Sequence, residues 1–304
     1  MAIPASAAGR AAGEATSDTT ARRLMAYAAG IGAVDECYFD DLRAGGIVGH
    51  PAFCVSLEWP VVSGAAYLAA IGRAADVPRG AIHVLQDSRF HRAIRAGESL
   101  RTSARIAQVR QTGAGVLVTS RVETREASGG EPVVTTWTGA MFLRDTLEGT
   151  TVEGTTDEGT TVEGTPAAGE DPPPLRNDAE VIVTAPVRVA IETSRGLAHR
   201  YSECASIWNP IHTERAAARA IGLPDIILHG TCTWALAGQA LVHALAGGDP
   251  RRLKRLAGRF KGMVFPGERL ELDYGHESAG SWQFAVRTPR GELALTHGVA
   301  EIDP

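Results

Sequence analysis

Lysine is nearly absent: Lys254 and Lys261 are the only two in a chain of 304 residues. The remaining basic residues are arginines, placed singly or in pairs, and the net charge is −5. Nucleic-acid binding needs a positive face, and this distribution offers none. Cysteine is scarce too. Cys37, Cys54, Cys204 and Cys232 lie far apart without Cys-x-x-Cys spacing, which argues against a structural zinc site and a disulfide framework. Reduced thiols in a cytoplasmic protein are expected, with no metal or other cofactor. No charged segment followed by an apolar one opens the chain, as a secretory signal would require. The longest stretch without a formal charge, 226–248, contains His229, Thr231, Thr233, Gln239 and His243. That polarity suits a buried core helix better than a membrane span.

Hydrophobic residues make up 44%, enough for a sizeable core, and the length suits two domains. Residues 1–20, rich in Ala, Ser, Thr and Gly, are expected to form a disordered tail. The run Thr-Leu-Glu-Gly-Thr-Thr-Val-Glu-Gly-Thr-Thr-Asp-Glu-Gly, closed by Pro172 to Pro174, marks 147–174 as a linker. It separates an N-terminal domain, 21–146, from a C-terminal domain, 175–304. Each half follows one plan, an apolar helix and then alternating strands. In the first half the helix spans 52–75 with a break or kink at Pro60. Strands are expected at 81–90, 100–109, 115–123 and 132–143. In the second half the helix spans 231–246, stopped by Gly247, Gly248 and Pro250, with strands near 257–265, 269–276, 282–288 and 292–302. Ala96-Gly97-Glu98-Ser99-Leu100 matches Pro266-Gly267-Glu268-Arg269-Leu270, and His50-Pro51 precedes the first helix as His229-Gly230 precedes the second. The two halves therefore look like a duplication. The expected fold class is α+β, a double hotdog: two antiparallel sheets, each wrapped round a central helix.

The richest segment is Tyr201 to Leu241. Asn209 is a good N-cap, Pro210 suits the first helical position and Glu214 the first turn, so one helix from Pro210 to Ile221 is expected. His212 then sits at its positive end, where the dipole disfavours imidazolium. The turn Leu228-His229-Gly230-Thr231 leads into the apolar helix. Its first N–H groups have no internal acceptor, and Gly230 permits close approach to the backbone, so an enolate oxygen could be held there.

The segment Trp208-Asn209-Pro210-Ile211-His212, followed by Gly222…Pro224…His229-Gly230, resembles the signature of the MaoC-like (R)-specific enoyl-thioester hydratases and dehydratases. Arg259-Phe260 and Phe265-Pro266-Gly267 also resemble that family. Gly49-His50-Pro51-Ala52-Phe53 and His83…Phe90-His91-Arg92 are similar to its degenerate partner domain. The resemblance implies a catalytic His212, substrate-side roles for Asn209, His229, Gly230 and Thr231, and an enoyl or 3-hydroxyacyl thioester of CoA or a carrier protein as substrate. A homodimer without nucleic acid or membrane partner is the expected assembly.

One position departs. The family places an aspartate where this chain has Ile207, and Ser206 stands at the preceding glycine. Isoleucine cannot take a proton, so ordinary hydration is put in question. Glu203 and Glu58 are the candidate substitutes. Three readings follow: a hydratase or dehydratase; a repurposed enzyme catalysing cyclisation or isomerisation in polyketide-type metabolism; and a non-catalytic acyl-binding subunit. His83, His91, Arg89 and Arg92 are assigned to a strand and its rim.

Overall fold

The computed structural model describes residues 1–74, 80–148, 161–163 and 186–304. The chain forms two compact units whose segments interleave along the sequence. Unit 1 comprises Met1–Ser17, Leu57–Asp87 and Leu100–Leu175; unit 2 comprises Asp18–Ser56, Ser88–Ser99 and Arg176–Pro304. The fold class is the expected double hotdog.

In unit 1 the strands run in the order Ala11–Thr19, Glu98–Thr112, Gly115–Glu126, Pro132–Leu143, Ala81–Phe90. The hairpin Glu98–Thr112 and Gly115–Glu126 is in register from Leu100↔Glu126 to Thr112↔Gly115. Alternation explains the inner face: Val116, Val118 and Val122 pack with Ile106, Val109 and Phe142 onto Tyr67, Leu68 and Ile71. The helical segment is two pieces, Cys54–Val62 with Pro60 inside it and Ala65–Ala70. Pro60 does not end the first helix; the chain leaves it two residues later, with Gly64 as the next N-cap.

The expected tail at 1–20 is corrected. Ala11–Thr19 is a strand whose side chains largely alternate between exposed and partly or fully buried positions, Ala12 and Thr19 being the buried ones. Its neighbour in the sheet is Glu98–Thr112, and the Gly9 and Ile106 backbones are tied by Gly9 N–H to Ile106 O at 2.8 Å. An existing edge supplies the hydrogen bonds that small polar residues would not secure alone. Of the proposed linker, residues 149–160 and 164–174 lie outside the described residues, and Thr161–Glu163 pairs with Glu98–Thr112.

In unit 2 the strand order is Leu253–Phe260, Leu293–Ile302, Ser281–Arg287, Arg269–Ser278, Val187–Glu192. The sheet packs round the helix Gly230–Ala246, apolar on nearly all sides as a central helix must be. Trp234, Leu241, Leu256, Leu270, Leu272, Phe284 and Leu295 form the core. A Cβ at Gly238 would stand 2.7 Å from Leu256, so the helix lies close on the sheet there. Gly247, at φ 60°, ends the helix in the left-handed conformation. The first strand starts four residues before its expected position, because Pro250–Arg252 makes a short turn and the chain enters the sheet at once. Two helices were not anticipated, Ala21–Gly30 and Leu197–Ala205.

Candidate active site

Leu197–Ala205 ends at Ser206, a non-glycine residue at φ 55°. The Ile207 N–H returns to Ser202 O at 3.0 Å, closing the turn, and the buried Ile207 side chain anchors it. Asn209 then caps the next turn, its Oδ1 accepting from Ile211 N–H at 3.4 Å. This turn is a short 3-10 segment, Pro210–His212, and a separate helix follows at Arg215–Ala220. The continuous helix expected from Pro210 to Ile221 is thus corrected. Thr213 and Glu214 leave helical geometry, at φ −130° and φ −120°, where His212 is tied to a neighbouring loop.

That tie is a 2.9 Å bond between His212 Nδ1 and Ile227 O. A carbonyl only accepts, so Nδ1 carries the proton and Nε2 of the neutral ring keeps its lone pair. Burial holds His212 at about 4, below the ordinary imidazole range, despite the opposing Ile227 bond. Desolvation rather than a helix dipole keeps the ring neutral.

His229 stacks on His212, with ring centroids 3.6 Å apart and planes at 27°. Its Nε2–H donates to Ile207 O at 3.2 Å, with Ser202 Oγ at 3.4 Å. Burial, reinforced by the neighbouring His212, drives its imidazole well below the usual range. His229 caps the long helix by position only, for its side chain accepts no cap bond. Among the described residues, no acceptor is bonded to the N–H groups of Gly230 or Thr231; Cys232 and Thr233 donate to His229 O. Tyr201 OH donates to Thr231 Oγ1 at 3.1 Å, which fixes that side chain. Gly230 is required for a different reason than expected: a Cβ there would meet the Phe260 ring at 2.8 Å. The close approach is made by the protein itself.

His212, His229, Gly230 and Thr231 therefore converge, and Asn209 supports the turn that carries His212. Tyr201 and Ser202 join them without a signal in the sequence. Glu203 points to solvent. Glu58 is a buried carboxylate in unit 1 that accepts from Thr136 Oγ1 at 2.6 Å and Gln86 Nε2 at 2.9 Å, partners that suit a structural role. His83 is bonded to Thr138 Oγ1 at 2.9 Å in the same unit.

Residues 181–293 match the model of the MaoC like domain, and residues 6–136 match the FAS1-like dehydratase domain region. Both halves of the chain are thus similar to dehydratase domains, the C-terminal half to the MaoC like domain. A probable enoyl-CoA hydratase 2 of Dictyostelium discoideum is 34% identical over 97 residues, 32% of this chain and 33% of that protein. The 3-hydroxyacyl-thioester dehydratase Y of Mycobacterium tuberculosis is 46% identical over 63 residues, 20% of this chain and 22% of that protein. The fatty acid synthase beta subunit pkiC of Emericella nidulans is 35% identical over 107 residues, 34% of this chain and 6% of that protein. The matches thus span a third or less of these relatives. A MaoC-like dehydratase from Phytophthora capsici has the same fold, with TM-score 0.74 and 22% identity, covering 96% of this chain and 95% of that one. No helix among the described residues is long and apolar enough to cross a membrane.

Proposed function

We propose that this MaoC-like chain interconverts a 3-hydroxyacyl thioester and its enoyl thioester, with His212 as the acid–base residue. The observation that carries this is the pairing of a neutral His212, its Nε2 lone pair left available, with two N–H donors at Gly230 and Thr231 that no described residue takes. In the dehydrating direction Nε2 removes the C2 proton. The electron pair moves onto the thioester oxygen, held by the two N–H groups as an enolate. The enolate collapses to form the C2–C3 double bond and expels the C3 hydroxyl. The proton on His212 goes to that oxygen, which leaves as water. One base that gives back the proton it took completes the cycle, so no carboxylate at 207 is needed. Hydration is the reverse.

The same shuttle supports a second reading, favoured by the apolar, buried Ile207 side chain. Returning the proton to C4 of a 3-enoyl thioester's dienolate would move a double bond and leave water out. Incubation with crotonyl-CoA and longer 2- and 3-enoyl-CoAs separates the two. Hydration of the 2-enoyl thioesters, lost by about 10²–10⁴-fold in His212→Ala, is expected. Double-bond migration without hydration would establish the second reading. An unchanged rate in His212→Ala would refute both.

A further inference from the structure

The chain contains the same helix cap twice, used in two ways. His50 caps the turn Pro51–Phe53 at φ −57°, ψ 137°, and His229 caps the helix Gly230–Ala246 at φ −60°, ψ 137°. The backbones are alike, but the rings are not. At the first cap His50 Nδ1 accepts the Ala52 N–H at 3.2 Å, and Pro51 has no N–H to offer. Both donors of that helix start are therefore consumed or missing. At the second cap Gly230 supplies an N–H where proline has none. The Thr231 N–H, equivalent to that of Ala52, is not taken by the ring. Among the described residues His229 Nδ1 has no partner, and the residue is only 4% exposed.

A buried unpartnered nitrogen beside an unpartnered N–H costs free energy on both sides. The ring is kept from closing the cap by what it does elsewhere. Its Nε2–H donates to Ile207 O, its face stacks on His212, and Ser202 Oγ stands beside the same N–H. Ser202 donates its own proton to Ala198 O at 2.9 Å, so its lone pairs face the imidazole N–H as acceptors.

We propose that His229 is a positioning residue that keeps the cap of the long helix open, reserving the Gly230 and Thr231 N–H groups for the oxygen of the bound thioester. Ile207 O and Ser202 Oγ are its anchors. The proposal rests on the reading of that helix start as the oxyanion site. In this chain a closed histidine cap, as at His50, marks a helix start without that function.

Two substitutions separate positioning from packing. In His229→Asn the shorter side chain is a good N-cap and accepts the Thr231 N–H. In His229→Gln the longer amide reaches toward Ile207 O and leaves the cap open. The expected result on 2-enoyl-CoA hydration is a fall in kcat of about 10²–10³-fold for the asparagine variant, with KM changed far less. The glutamine variant should retain most of kcat, and the asparagine variant should melt no lower than it. A structural role would instead lower the melting temperature of both variants and leave the ratio of kcat between them near one. Amide hydrogen exchange of the natural protein needs neither variant nor substrate. The Ala52 amide, bonded to His50, should exchange more slowly relative to its helix than the Thr231 amide does to its own, and His229→Asn should slow Thr231. Equal protection of the two amides in the natural protein, or full kcat in the asparagine variant, overturns the proposal. Absence of any thioester turnover in the natural protein would defeat the functional reading while the exchange result still stood.

Discussion

Mild acid should weaken this fold through histidines held neutral in its interior. His50 is 1% exposed and His229 4%. Burial lowers His50 to about 3 and moves His229 well below the usual value. In the unfolded chain both titrate near 6.5. Between that value and the depressed folded one, the unfolded state binds more protons, so stability is full above about pH 6.5 and is lost as the pH falls. At pH 5 His50 lies about 1.5 units below its unfolded pKa; at 1.36 kcal/mol per unit, this costs about 2 kcal/mol. That is a large part of a total of order 5–15 kcal/mol for a domain, and His229 acts in the same direction. Half-buried His212, at about 4, acts in the same direction. The assay is the urea midpoint from pH 7.5 to 5, for the natural protein and for His50→Asn. Asparagine can keep the cap on Ala52 but cannot titrate. The natural protein should lose about 2 kcal/mol more than the variant over this range. Equal losses would show that His50 is not held neutral in the folded protein.

Three further outcomes follow from the turn that carries the site. Asn209→Ala should cost about 1 kcal/mol by removing the cap on Ile211, and it should lower turnover because His212 lies in the same turn; unchanged thermal stability would contradict this. Ser206→Gly should stabilise by about 0.5–1 kcal/mol, since the left-handed φ of 55° costs serine more than glycine's extra chain entropy costs; a lower melting temperature would refute it. Ile207→Asp should raise the hydration rate of 2-enoyl-CoA by adding a second acceptor for water. No gain in a folded variant would place the 207 side chain away from the reacting atoms.

The central helices and most strands were legible because their signals are local. The helix stop at Gly247, the alternation of 132–143 and the turn glycines all act within a few residues. The motif from Trp208 to Thr231 was legible for the same reason, down to the Asn209 cap. What escaped depends on distant partners. Ala11–Thr19 has too little apolar character to announce a strand, and it becomes one by hydrogen bonding to an edge. The helix expected to run through His212 is interrupted by the bond to Ile227, fifteen residues on. Tyr201 and Ser202 carry no spacing signal of their own; they matter because the helix Leu197–Ala205 lays them against Thr231 and His229.

Residue 207 unites these threads because it has two parts with separate duties. Its carbonyl oxygen anchors His229, and any residue type supplies one. Its side chain is where the family resemblance expects a carboxylate and where this chain has a buried apolar group. The backbone frame does not depend on the 207 side chain type: the Ser206 turn delivers the carbonyl, which holds His229 off the cap, and no described residue takes the Gly230 or Thr231 N–H. An isoleucine there offers no second proton acceptor. On the proposed reading, two N–H donors and one base suffice for an enolate, because enolate formation needs one proton removed and one oxygen stabilised. Binding water for attack at C3 asks more of the acceptors than proton transfer at C2 does. The change at 207 should thus slow hydration of an enoyl thioester more than it slows exchange of the C2 proton of a saturated acyl thioester with solvent. Measuring both rates in deuterated buffer, for the natural protein and for Ile207→Asp, gives the ratio. A gain confined to hydration is the expected result, and equal gains in both would mean that the aspartate acts on the frame and not on the water.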